Sequence, residues 1–83
     1  MTPQQARELI ERALAQVAPD ADLAALPPEA DFRDILQLDS LDFLSFVEAL
    51  SDCTGYRIEE DDYPVFSTLA GGAGYLAAHA GTG

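Results

Sequence analysis

Two apolar stretches recur at helical spacing in this chain, and a proline-marked segment from Ala18 to Leu38 holds them apart. In the first, Ala6, Leu9, Ile10, Ala13, Leu14 and Val17 form one stripe, with Arg7, Glu8, Glu11, Arg12 and Gln16 largely on the other side. A stripe of this period is how an amphipathic helix buries one face. Its start is marked three times: Thr2 can cap, Pro3 suits the first helical position, and Gln5 completes a capping box. Glu8 and Arg12 stand four apart in the order that supports a helix. Pro19 marks the stop.

The second stretch opens at Leu38-Asp39-Ser40-Leu41-Asp42-Phe43-Leu44, where one serine sits between two aspartates. It predicts a helix from Ser40 to about Cys53. Phe43, Phe46, Val47 and Leu50 share the inward face, and Leu41, Leu44, Ser45, Glu48 and Asp52 lie around the side. Ser40 suits the N-cap or the first turn, where its hydroxyl can accept a free backbone N–H. Asp39 and Asp42 fall near the positive end of the helix dipole, worth roughly 0.3–1 kcal/mol each. Thr54-Gly55 ends the helix, with Gly55 available for a left-handed cap.

In the connection, Pro19, Pro27 and Pro28 break the periodicity, and Asp20, Asp22, Glu29 and Asp31 add polarity. A loop this long is uncommon in a compact domain unless it is functional or locally ordered. Leu23, Leu26, Phe32, Ile35 and Leu36 are expected to tuck inward, with a helical turn near Arg33–Gln37. After the second helix, Tyr56-Arg57-Ile58 has no pairing partner and reads as loop. Glu59-Glu60-Asp61-Asp62 lacks the spacing of a calcium loop. These acids instead lead a short third helix over Asp61–Phe66, with Pro64 in its first turn. Ser67-Thr68 caps a fourth helix from Leu69 to His79, carried by Leu69, Ala73, Leu76 and Ala77. Gly71, Gly72 and Gly74 weaken it by about 1 kcal/mol each relative to alanine. The glycine run follows no strand and is not a dinucleotide fingerprint. His79 reads as a favourable end charge, and Gly81-Thr82-Gly83 is expected to fray. The expected fold is all-α: a single domain over residues 1–83, a small up-and-down bundle of three principal helices plus one short helix, with a long first loop.

Charge narrows the partners. Fifteen acidic residues face four arginines and no lysine, for a net charge of −11. That balance disfavours nucleic acid and anionic membranes and favours partners with basic patches, met through electrostatic steering. One cysteine, Cys53, and one histidine, His79, allow neither an internal disulfide nor a Cys/His metal cluster. No apolar run is long enough to span a membrane, and the polar N-terminus lacks the design of a leader. Together these point to the cytoplasm.

Ser40 lacks the equipment of a catalytic nucleophile. That role needs a base and an oxyanion hole. His79 is far away in sequence, no G-x-S-x-G elbow surrounds Ser40, and no lysine exists for a Ser–Lys pair. Two readings of the residues stay open: a serine that only starts a helix in an acidic interaction domain, or a serine presented as an acceptor to an external enzyme.

Asp39-Ser40-Leu41-Asp42, followed by an amphipathic helix, resembles the modification site of acyl carrier proteins. The likeness runs over nearly the whole chain. It takes in the first helix, the long loop with Phe32 before the site, the segment Gly55-Tyr56-Arg57-Ile58-Glu59-Glu60-Asp61-Asp62-Tyr63, and Ser67-Thr68-Leu69 at the start of the last helix. The resemblance implies a non-catalytic carrier of acyl intermediates, held as thioesters on a 4′-phosphopantetheine attached to Ser40. It implies phosphopantetheinyl transferase as a partner, together with acyl-loading, condensing and acyl-transfer enzymes that have basic docking patches. These would meet a monomer at Asp39, Leu41, Asp42, Leu44, Ser45 and Glu48. Gln37 stands where carriers often have glycine, and Thr54 where an aromatic is frequent. Ser45 and Glu48 replace the acidic and apolar residues common at docking positions. Length and acidity suggest a discrete carrier in fatty acid, polyketide or related biosynthesis. Aminoacyl and peptidyl carriers, the nearest alternative, more often show Gly-Gly before the site.

Overall fold

The computed structural model describes residues 1–79. The elements are α1 (Pro3–Val17), a 3₁₀ turn (Leu23–Ala25), α2 (Phe32–Ile35), α3 (Ser40–Thr54), a 3₁₀ helix (Glu60–Ser67) and α4 (Leu69–His79). The fold is the all-α bundle expected, and α1 is its hub, packing against both α3 and α4. The expectation for Gly81-Thr82-Gly83 lies outside the described residues.

The capping box of α1 forms in both directions: the Gln5 amide donates to Thr2 Oγ1 and the Thr2 amide to Gln5 Oε1, each at 3.1 Å. Ala6, Ile10, Ala13 and Leu14 are buried, with Leu9 and Val17 packed at the margin. The ion pair on α1 is Arg7–Glu11 at 3.0 Å, not the expected Glu8–Arg12. Arg7 and Glu11 flank the buried stripe and are partly shielded, whereas Glu8 and Arg12 are exposed.

The long first loop is tied down at its far end. The Pro28 carbonyl accepts the Ala70 amide at 2.8 Å, and Asp31 forms an isolated antiparallel bridge with Thr68. These two contacts clip the loop to the start of α4. Leu26 and Phe32 are buried, and Leu23 and Leu36 pack against the core. Ile35 does not tuck inward as expected: it is 51% exposed. Its place is taken by Leu38, and the reason is the way α2 ends. The helical turn closes at Leu36, earlier than the expected Gln37, and Gln37 is left-handed with φ 55°. The Leu38 amide donates to the Arg33 carbonyl (2.9 Å) and the Gln37 amide to the Asp34 carbonyl (3.2 Å). That pair of bonds is a Schellman motif with glutamine in the usual glycine position. The reversal turns Leu38 into the core and starts α3 at once.

On α3, Phe43, Phe46, Val47 and Leu50 are buried as expected, joined by Ala49. Phe46 packs edge-on against Phe32 (centroids 5.4 Å apart) and beside Phe43 (5.8 Å). Gly55 ends the helix at φ 70°. The hydroxyl of Thr54 donates to the Leu50 carbonyl (2.9 Å) and accepts the Tyr56 amide (3.1 Å), so threonine there closes the helix end.

The third helical segment differs from the short helix expected over Asp61–Phe66. It runs from Glu60 to Ser67 as 3₁₀, with Pro64 in its interior and a break at Phe66 (φ −91°, ψ 16°). A proline ring clashes with the preceding turn of an α-helix, and the segment winds differently around it. In α4, Leu69, Ala73 and Leu76 are buried. A Cβ at Gly71 would lie 2.6 Å from the Val65 carbonyl oxygen, and one at Gly72 would lie 3.0 Å from Ile10 and Phe66. These two glycines permit close packing, which offsets their poor helix propensity. Tyr75 joins three segments: its hydroxyl donates to Asp62 Oδ2 (2.8 Å) and lies 3.0 Å from the hydroxyl of Tyr56. His79 stacks on the Tyr75 ring at 4.3 Å, and its Nδ1 lies 2.9 Å from the Tyr75 carbonyl.

Candidate functional site

Ser40 is the first residue of α3, and the cap is Asp39, whose carboxylate accepts the Asp42 amide at 2.8 Å. Ser40 therefore takes the first-turn position of the two expected for it, and it is exposed. Because the carboxylate has taken the capping role, the hydroxyl is not committed to the helix amides. Behind Ser40, α3 is anchored in the core through the buried rings of Phe43 and Phe46.

Around Ser40 the residues sort into two surfaces. One is the outward side of α3, where Leu41 is 74% and Leu44 41% exposed. Asp39, Ser45 and Glu48 are exposed with them, and Asp42 is half-buried. All six residues expected to meet partners thus lie on or beside one face of α3. The other surface is a cleft of about 510 Å³ that runs from Ser40 past Phe43 and Leu44 to Tyr63, Pro64 and Ser67, with Asp31, Arg33 and Glu60 also on its walls. Phe43 and Tyr63 pack edge-on in it, with centroids 5.8 Å apart. Periodicity along the chain gave no sign of this cleft, because its walls come from the loop, α3 and the 3₁₀ helix. Ile35 and Val65 add exposed apolar surface, Val65 at 36%. Ile35 was expected to be buried, and Val65 could have been found only by knowing that its segment winds as 3₁₀.

The site offers an acceptor, an acidic rim and a partly apolar cleft. His79 is engaged with Tyr75 on α4. Among the described residues no group of three or more His, Cys, Asp or Glu could hold a metal ion. None of the described helices is long and apolar enough to cross a membrane.

The fold is a small all-α bundle with an exposed serine opening its second long helix. The family model described as a phosphopantetheine attachment site matches residues 4–76, and the chain belongs to that family. An acyl carrier protein of Rubrobacter xylanophilus is 28% identical over 76 residues, a match covering 88% of this chain and 94% of the relative. No solved structure matches the chain. The family binds 4′-phosphopantetheine, and its members are carriers without catalysis of their own. The residues here fit that group. Ser40 Oγ is a free, exposed acceptor, and a cleft with both polar and apolar walls begins beside it.

Proposed function

We propose that this chain carries acyl intermediates as thioesters on a 4′-phosphopantetheine joined through its phosphate to Ser40 Oγ. The observation that carries this reading is the division of labour at the start of α3: Asp39 caps the helix and leaves Ser40 exposed and uncommitted. The arm supplies the thiol on which acyl groups ride. The chain's own residues present the serine, hold the helix behind it and offer surfaces to partners. Leu41 and Leu44, framed by Asp39, Asp42, Ser45 and Glu48, form the docking face for the transferase and the acyl-processing enzymes. An apolar centre with an acidic rim suits partners with basic patches. The similarity to a protein named as an acyl carrier favours acyl over aminoacyl cargo, in fatty acid, polyketide or related chain assembly.

The experiment is the intact mass of the protein after co-expression with a phosphopantetheinyl transferase. The wild-type chain should gain one arm and Ser40→Ala none. A wild-type chain that remains unmodified would leave an acidic helical domain whose Ser40 only begins a helix.

A further inference from the structure

Arg33 stands apart from the other three arginines. Arg7 is held by Glu11 at 3.0 Å, Arg57 lies 3.8 Å from Glu59, and Arg12 lies on the exposed side of α1. Arg33 alone lines the cleft beside Ser40. Its guanidinium carbon sits 4.8 Å from the centroid of the Phe43 ring. Phe43 follows Ser40 by three residues on α3, so the two side chains are neighbours on one face of the helix. Asp31 and Glu60 share the cleft walls, yet Arg33 makes no ion pair among the described residues. Its side chain rests on an aromatic face, with the donors of its planar fork unclaimed by a carboxylate.

A phosphate joined to Ser40 would place one more negative charge between Asp39 and Asp42. Like charges this close repel, and the end of α3 offsets only part of that cost. We propose that Arg33 binds the phosphodiester of the arm, its fork reaching the phosphate oxygens from its place beside the Phe43 ring. The proposal rests on attachment at Ser40. Guanidinium and phosphate match as a two-pronged, charge-assisted pair. The contact would neutralise the added charge and fix where the arm leaves the protein, at the mouth of the cleft.

Two measurements on fully modified and unmodified protein test this. In the wild-type chain, the Nε–H resonance of Arg33 should move when the arm is added, while those of Arg7, Arg12 and Arg57 stay in place. The melting temperature of modified minus unmodified protein should be higher in wild type than in Arg33→Gln, by about 2–5 °C at low salt. That gap should shrink as salt screens the pair, and Arg33→Lys should fall between the two. A fully modified chain whose Arg33 resonance does not move overturns the contact and leaves the attachment standing. So does an Arg33→Gln difference equal to that of wild type. A wild-type chain that takes up no arm overturns both.

Discussion

The Asp39 carboxylate accepts the Asp42 amide at 2.8 Å, and this bond holds the start of α3 beside a serine that takes no part in the cap. Support and acceptor are thus separate side chains, one residue apart. Asp39→Ala should lower stability by about 0.5–2 kcal/mol, the usual cost of losing a side-chain cap. Ser40→Ala, at an exposed position, should stay within about 0.5 kcal/mol of wild type. Urea midpoints of the two variants make the comparison. Equal losses would mean that Ser40 shares in holding the helix.

Backbone substitutions test the turns and α4. Gln37 holds a left-handed conformation at the end of α2 that glycine adopts without a Cβ penalty. Gln37→Gly should therefore stabilise, by about 0.5–1 kcal/mol. Gly74 lies in α4 with nothing within 4 Å of an added Cβ, so Gly74→Ala should stabilise by a similar ~0.5–1 kcal/mol. Gly71→Ala should destabilise, because its Cβ would meet the Val65 carbonyl oxygen at 2.6 Å. Thermal melts of the three variants should give two rises and one fall. A rise at Gly71→Ala would show that α4 and the 3₁₀ helix can separate without cost.

Much of this arrangement is legible along the chain where one segment determines its own structure. The capping box at Thr2 and Gln5, the inward face Phe43, Phe46, Val47 and Leu50, and the left-handed Gly55 all follow from local spacing and backbone preference. Where the reading fails, a distant or neighbouring segment decides. Ile35 is exposed because the turn at Gln37 sends Leu38 inward in its place. Gly71 and Gly72 of α4 look like weaknesses until Val65, Ile10 and Phe66 are placed against them. Ser40 can be singled out from sequence by its flanking aspartates and by resemblance. The cleft beside it cannot, since Arg33, Phe43 and Tyr63 come from three different segments.

Tyr75 predicts an alkaline limit to stability. Its hydroxyl is held protonated well above the ordinary tyrosine value, first by the hydrogen bond with Tyr56, then by partial burial and by the Asp62 carboxylate. The folded state therefore keeps a proton that the unfolded chain releases near about pH 10. This contribution is fully present below that value and is lost as pH rises through it toward the folded-state value. Wild type should lose stability between about pH 9 and 11 faster than Tyr75→Phe does. At neutral pH, Tyr75→Phe should be less stable by about 1–2 kcal/mol, because Asp62 loses a donor. Urea midpoints over a pH series would show the gap closing. A constant gap would remove Tyr75 as its source.

The acidic rim should steer the transferase. Asp42→Lys should slow modification more than Glu8→Lys, which reverses an exposed charge on α1 away from Ser40. Glu8 is a better control than Glu11, whose reversal would also break the ion pair with Arg7. The difference should be largest at low salt and fade as ionic strength rises. Rates measured across a salt series decide it, and equal rates would mean that charge around Ser40 does not guide the encounter.

The most direct test of the carrier role is to locate the arm on the chain. Cleavage after arginine releases a peptide from Asp34 to Arg57 that holds three serines, Ser40, Ser45 and Ser51. Fragmentation of that peptide, from protein modified by a phosphopantetheinyl transferase, should place the whole added mass on Ser40 and release the arm from that residue alone. Mass found on Ser45 or Ser51, or a peptide carrying no added mass, would contradict Ser40 as the attachment point.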